Sequence, residues 1–138
     1  MTPDESAALV ERFWDEVWVG RNPDAIDRFV TDDFVITTAG VDVTGPQDFK
    51  AWVAAFQSTI SELHWETIET FSSIDGSRVA SRFQVTGRNN GMFGLPADGK
   101  PVAFTGNAIL VITPNGKLAR SSVERSAWEL YGRLKGQS

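Results

Sequence analysis

Apolar side chains recur at helical spacing through roughly the first sixty residues and alternate at strand spacing afterwards. The first helix is predicted to begin at Thr2 as N-cap, with Pro3 at its first position, Glu5 completing a capping box, and Gly20 at its end. Its apolar positions fall on one stripe: Leu9, Val10, Phe13, Trp14, Val17 and Trp18. This is the pattern of a helix packed against a core.

Two more helices and a pair of short strands are predicted next. The segment "NPDAIDRFV" begins a short helix with Asn22 as cap and Pro23 at its first position. The β-prone segment "DFVITTAGVDVTG" predicts one or two short strands around Gly40. The segment "GPQDFKAWVAAFQSTI" predicts a third helix, whose apolar stripe is Phe49, Trp52, Val53, Phe56 and Ile60.

The rest of the chain is predicted to be antiparallel strand. Asp75-Gly76 and Asn115-Gly116 are tight-turn signals that separate alternating segments. The last segment, "KLARSSVERSAWELY", is predicted to be a strand that closes the chain. Three helices followed by an antiparallel meander define an α+β fold, and we expect one domain over residues 1–138. Long strands curve, so we expect the sheet to close over the helices and leave a conical cavity.

Composition narrows the function. The chain has no cysteine, which excludes disulfides and thiolate sites, and its lone His64 cannot build a multi-histidine zinc site. The net charge of -5 argues against nucleic-acid or anionic-membrane partners. The acidic N-terminus is unlike a targeting peptide, so we expect a cytoplasmic protein. We expect no metal and no nicotinamide or flavin cofactor.

A glycine-rich connection spans residues 86–106. Its "GRNNGMFGLP" lacks the preceding parallel strand and following helix of a dinucleotide fingerprint, and it lacks the Lys-Ser/Thr of a phosphate loop. Connections this long more often line a site than join strands only. We interpret the segment as the rim of a site, with Met92, Phe93 and Leu95 as an apolar flap beside the pocket mouth.

Two stretches carry a family resemblance: "GSRVASRFQVTGRNNGMFGLPADGKPVAFTG" and "LVITPNGKLARSSVERSAWELYGRL". They resemble the SnoaL-like polyketide cyclase family of the nuclear-transport-factor-2-like superfamily. The similarity spans Phe13 to Leu134, and it is most specific in the glycine and proline spacing of 86–106, the "NGKL" turn and the final "LYGRL". The resemblance implies a cone-shaped α+β barrel with three N-terminal helices packed on a curved antiparallel sheet. The superfamily includes isomerases, dehydratases, hydrolases, cyclases and non-catalytic binders.

The chain departs from the family pattern at the catalytic positions. Arg88-Asn89 stands where family cyclases carry a Thr-His pair. Ser126 occupies the position of the family's catalytic aspartate, and Ser122 that of a tryptophan. The usual acid is therefore missing from its usual place.

Glu124 is the predicted replacement for that acid. Arg120, Ser122, Glu124 and Ser126 alternate along the predicted last strand and so share one face, which the resemblance makes the cavity face. A carboxyl group in an aromatic cavity has a raised pKa and suits general acid/base catalysis. Ser122 and Ser126 would then contact ligand. The alternative is that this face is solvated and Glu124 makes an ordinary charge pair.

Two amides are predicted to hold a carbonyl or oxyanion, because they donate hydrogen bonds without transferring protons. They are Asn89, in the family histidine's place, and Asn107, which lies mid-strand where asparagine is disfavoured. Asn89 could instead form a turn. Arg82 belongs to a polar stripe that either faces solvent or points inward to Glu124 or a ligand oxygen.

Further ligand contacts are predicted at aromatic positions. Trp14 and Phe56 have core spacing, but their helices also wall the cavity, and Trp128 lies in the predicted last strand. His64 beside Glu66 is a weaker candidate for a general base, because its segment runs along the outer part of the sheet.

Three functions stay open from the sequence. The first is a cofactor-free enzyme that cyclises, isomerises, dehydrates or opens an epoxide of a hydrophobic, oxygenated small molecule of polyketide type. The second is a small-molecule binder without catalysis, and the third is a dimerisation module. We also expect a homodimer, because the apolar "AILVIT" needs cover on both faces of its strand.

Overall fold

The computed structural model describes residues 1–136. Their helices and strands follow the chain as α1 (Pro3–Phe13), a π-helical continuation (Trp14–Val19), a 3-10 helix (Pro23–Arg28), β1 (Val30–Thr38), β2 (Val41–Thr44), α2 (Pro46–Ser58), β3 (Ile60–Ser72), β4 (Arg78–Asn89), a 3-10 turn (Met92–Gly94), β5 (Pro101–Ile112), β6 (Leu118–Arg125) and α3 (Ala127–Leu134). Across this part of the chain, none of the helices combines the length and hydrophobicity needed to cross a bilayer.

The start of α1 has the predicted capping box. Thr2 Oγ1 accepts a hydrogen bond from Glu5 N at 3.1 Å, and Glu5 Oε1 accepts one from Thr2 N at 2.8 Å. These bonds satisfy two backbone donors that a helix N-terminus leaves unpaired. The helix is thereby fixed at the point from which its apolar stripe enters the core.

The strands form one six-stranded sheet in the order β2-β1-β6-β5-β4-β3. The β1–β6 pair is parallel, and the other neighbouring pairs are antiparallel. Register shifts interrupt the β3–β4 ladder between Ser61 and His64 and between Thr67 and Glu69. Such irregularities bend a strand and increase its twist, which curves the sheet toward the helices.

An aromatic core fills the space between the helices and the concave face of the sheet. Trp65 on β3 is at its centre, stacked on Phe83 of β4 with ring centroids 4.1 Å apart. Trp14 and Trp18 pack on the same indole at 4.8 and 5.1 Å. Gly106 of β5 makes room for this cluster, because a Cβ there would lie 2.4 Å from Phe83 Cζ. The predicted cone-shaped α+β fold is confirmed.

The end of the chain differs from the prediction. The last strand stops at Arg125 and does not continue through Tyr131, because Ala127–Leu134 forms α3. Leu130 and Leu134, one helical turn apart, are both buried. That spacing is the helical signal that the strand interpretation overlooked.

Candidate functional site

The two faces of β6 are opposite to the prediction. Val123 and Ser121 are buried on the concave face, and Arg125 follows them there. Ser122 and Glu124 are exposed on the convex face, together with Arg120. The prediction that this second set shares the cavity face is therefore wrong for Arg120 and Ser122, whereas Glu124, near the strand end, still borders a cavity at the mouth of the cone. The prediction depended on Ser126, which lies beyond the end of the strand and so does not continue its alternation.

Asn107 and Arg82 also lie on the convex face of the sheet. Asn107 is opposite Glu124 in the β5–β6 ladder and opposite Arg82 in the β4–β5 ladder. Both border a shallow groove of about 240 Å³ outside the cone, together with Glu69 and Ile109. For Arg82 this is the solvent-facing alternative. The expected inward position of Asn107 is wrong, because the buried residues of β5 are those at even-numbered positions.

Asn89 is buried, at 2% exposure, but its amide bonds within the adjoining loop. Its Oδ1 accepts from Gly91 N at 3.1 Å and Met92 N at 2.8 Å. Its Nδ2 donates to Pro96 O and to Asp98 Oδ1, each at 3.0 Å. These four bonds use the full capacity of an amide. The structure thus gives Asn89 the turn-forming alternative, in which it holds the rim loop in shape.

A cavity of about 500 Å³ opens at the mouth of the cone. Its walls come from the β1–β2 hairpin, α2, the 3-10 turn, the end of β6 and the start of α3: Thr38, Ala39, Val41, Val43, Trp52, Phe56, Phe93, Glu124, Arg125 and Ala127. This volume is in the usual range for small-molecule sites. A deeper cavity of about 20 Å³ touches Trp14 and Ser121, and one of about 40 Å³ touches Met92.

Arg125 borders all three cavities. Its guanidinium lies 5.2 Å from the ring centroid of Trp52 and 5.3 Å from that of Phe56, as in cation–π contacts. It donates a hydrogen bond to Thr38 Oγ1. Within residues 1–136 it forms no ion pair with a carboxylate.

Burial lowers the pKa of Arg125 to about 10, and the negative charge of Glu124 opposes part of that change. The guanidinium is therefore still charged at neutral pH. A partly buried cation with few protein acceptors binds an anionic or polarised oxygen, because that oxygen replaces water that the cation has lost. Arg125 is the chemical centre of the cavity.

The remaining predicted residues are distributed around this centre. Phe56 and Phe93 line the large cavity and, with Met92, the cavity of about 40 Å³. Trp14 borders the deep cavity and donates from Nε1 to Ser81 Oγ at 2.8 Å. All four side chains therefore lie on cavity walls, where a ligand can contact them.

Three other predicted contacts lie away from the cavity walls. Ser122 faces outward. Ser126 Oγ accepts from Thr105 N at 3.0 Å and so joins α3 to β5. Trp128 is 79% exposed and stacks on Tyr131, with ring centroids 6.2 Å apart. His64 is exposed on β3, as its weaker interpretation implied.

Sequence reasoning missed Arg125. A charged residue near a strand end is normally assigned to solvent. Arg125 also adjoins Glu124, the carboxylate that was predicted to be the acid. The signal that could have found it is Val123, the apolar residue nearest the strand end. Its burial places residues two positions away on the same face, which are Ser121 and Arg125.

Metal ligands are not clustered near this cavity or elsewhere in residues 1–136: no group of three or more His, Cys, Asp or Glu side chains is placed to hold an ion.

Comparison with known proteins assigns the family. The sequence matches the family model of the SnoaL-like polyketide cyclases over residues 8–133, and the chain belongs to this family. No curated protein matches the sequence.

Solved structures agree with this fold. A protein from Jannaschia sp. CCS1, described as a SnoaL-like polyketide cyclase, has a TM-score of 0.87 at 16% identity, covering 99% of this chain and 95% of its own. AclR from Streptomyces galilaeus, described as a hydroxylase, has 0.83 at 20%, covering 98% and 83%. SalBIII, an epoxide hydrolase/cyclase-like enzyme in pyran ring formation of the polyether salinomycin, has 0.75 at 19%, covering 89% and 92%.

Proposed function

We propose that this protein is an enzyme that acts without a cofactor on a hydrophobic, oxygenated small molecule of polyketide type bound in the 500 Å³ cavity. The observation that carries the proposal is Arg125, a partly buried cation without a carboxylate partner in residues 1–136, on the cavity wall. Membership of a family of polyketide cyclases supports an enzyme.

The cavity wall suits a ligand with an apolar body and one polar oxygen. Trp52, Phe56 and Phe93 provide aromatic surface, and aromatic side chains bury large apolar areas. Arg125 provides the positive charge at one point of that surface. A ligand that packs on the rings and places an oxygen at the guanidinium satisfies both features.

The proposed reaction centres on the ligand oxygen that Arg125 binds. Cyclisation, isomerisation, dehydration and epoxide opening all build negative charge on an oxygen while a proton moves elsewhere. Arg125 would stabilise the developing charge, which is the largest single contribution in many enzymes. Glu124 is the one carboxylate among the described residues that line the cavity, and from the rim it would exchange the proton between ligand and solvent.

A proton-exchange assay tests this proposal. The probe is 2-tetralone in D₂O, and the measurement is loss of its α-proton NMR signal. We expect the wild-type protein to accelerate exchange, and Glu124→Gln to lower the rate by about 10²- to 10⁴-fold. Glu66→Gln is the matched control, because Glu66 is an exposed carboxylate on β3 that does not line the cavity. Equal rates for wild type and Glu124→Gln would contradict the catalytic role of Glu124.

The second candidate is a small-molecule binder without catalysis. One observation favours it: the side chains at the family's catalytic positions, Asn89 and Ser126, make structural hydrogen bonds to the rim loop and to β5. A binder would hold 2-tetralone in the cavity without accelerating proton exchange. Binding and exchange measured on one sample separate the two functions.

A further inference from the structure

The charge of Arg125 is not balanced by the protein residues that surround it. The ion pairs in residues 1–136 join other side chains: Arg28–Glu16, Lys50–Asp27, Arg88–Glu62, Lys100–Asp98 and Arg120–Asp42. Glu124, its chain neighbour, is exposed at the cavity rim and makes no ion pair with it. Buried charges are normally paired, because their desolvation is costly. The cavity therefore contains an uncompensated positive charge.

The donors of the guanidinium are also largely unused. Its central carbon lies 5.2 and 5.3 Å from the ring centroids of Trp52 and Phe56, and these two rings are near parallel at 21°. Of its several N–H groups, one set donates to Thr38 Oγ1, the one acceptor that residues 1–136 provide for this side chain. Arg125 also borders three cavities, so a ligand there can accept from the remaining N–H groups. A guanidinium edge presents paired N–H groups, the geometry that binds both oxygens of a carboxylate.

A neutral ligand and a carboxylic acid differ in how they satisfy the guanidinium of Arg125. A ketone or ester oxygen accepts a hydrogen bond but leaves the positive charge uncompensated. A carboxylate accepts from the paired N–H groups and also neutralises the charge. A group with more negative charge fits less well, since the site offers one cation and Glu124 stands at its rim.

We infer that the ligand of this cavity is a hydrophobic carboxylic acid, whose carboxylate pairs with Arg125 and whose apolar body packs on Trp52, Phe56 and Phe93. This inference rests on the proposed function, because it assumes that the cavity holds a small molecule. It adds the charge of that molecule and makes a carboxylate oxygen the atom at which Arg125 stabilises developing charge.

The test compares two probes of nearly equal shape, 2-naphthoate and the neutral 2-naphthamide, by isothermal titration calorimetry at pH 7. We expect the wild-type protein to bind the acid about 10- to 100-fold more tightly, as a charge-assisted hydrogen bond requires. Arg125→Met should remove this preference. Arg12→Met is the matched control, because Arg12 is exposed on α1 away from the cavity and the preference should stay unchanged.

Each other outcome counts against one of the claims. Equal affinity of the wild-type protein for acid and amide overturns the inference about charge and leaves the proposed binding cavity standing. A preference that persists in Arg125→Met places the carboxylate elsewhere and also overturns it. Binding of neither probe at millimolar concentration contradicts the proposed function itself. The wild-type comparison keeps the test decisive even where Arg125→Met fails to fold.

Discussion

Arg125 donates a hydrogen bond to Thr38 Oγ1 across the one parallel strand pair of the described sheet, between the carboxyl ends of β6 and β1. Parallel strands end at the same edge, so this bond lies where the sheet opens into the 500 Å³ cavity. The β1–β2 hairpin and the start of α3 both leave the sheet here. The pair thereby fixes a cation at the mouth of the cone.

Arg125→Met should not destabilise the protein, although it replaces a partly buried side chain. The methionine keeps most of the apolar contact with Trp52 and Phe56 and avoids burying an unpaired charge. We expect a melting temperature at or above that of the wild type, together with loss of the acid preference. Phe56→Ala is the contrasting control and should cost about 3 kcal/mol, because it leaves a void among packed rings. A large drop in melting temperature for Arg125→Met would show that Arg125 is structural.

The stability difference between Arg125→Met and the wild type should depend on pH in a defined direction. Burial lowers the pKa of Arg125 from its ordinary value to about 10, so folding disfavours its charged form. The cost, about 3 kcal/mol, is fully present below the folded-state pKa and disappears as the pH rises through it, because the folded protein then releases the proton first. The stability advantage of Arg125→Met over wild type should therefore be constant up to about pH 9 and shrink by about pH 11. Urea unfolding of both proteins at the two pH values measures it; an advantage that grows would contradict the assignment.

Asn89→Ala should destabilise the protein by about 2 kcal/mol or more. The substitution leaves Gly91 N, Met92 N and Pro96 O without their partner in a buried turn. Asn90→Ala is the matched control, since Asn90 is exposed and its amide bonds only to Ser58 O. Urea unfolding compares the two variants. Unchanged stability of Asn89→Ala with lost turnover would restore the oxyanion role predicted from the sequence.

We propose a homodimer formed through the convex face of the sheet. Phe71 and Ile109 are 58% and 56% exposed there, and Ala80 lies between them in the strand ladders. Contact between this apolar row and the same row of a second copy would remove both rows from water. Light scattering at micromolar concentration should give twice the chain mass for wild type and the chain mass for Ile109→Lys. A monomeric wild type contradicts the proposal.

Much of the fold could be predicted from the sequence, because its signals are local. The capping box at Thr2, the turn at Asp75-Gly76 and the apolar stripe of α2 each specify an element without knowledge of the rest of the chain. The family resemblance then placed the elements in a cone. The predicted end of β6 was wrong. The apolar residues of "SAWELYGRL" show helical spacing over only one turn, and the strand alternation that precedes them obscures it.

The site was harder to predict, because it depends on which face of a strand is inside. Ser121 and Ser122 are adjacent and identical, so polarity does not orient β6 at that point. Arg125 violates the rule that charged residues face solvent, and such violations concentrate at functional sites. Its partners Thr38 and Trp52 are far from it in sequence, and only the folded sheet brings them together.

The most direct test of the central claim is to observe Arg125 itself while a ligand binds. In a ¹⁵N-labelled sample, the arginine Nε–H resonances can be followed by NMR during titration with 2-tetralone, and Arg125→Met assigns the signal of Arg125. The account predicts that the Arg125 resonance shifts progressively and saturates with ligand binding, while that of Arg12 on α1 stays in place. A ligand that saturates the protein and leaves the Arg125 resonance unmoved would contradict the account.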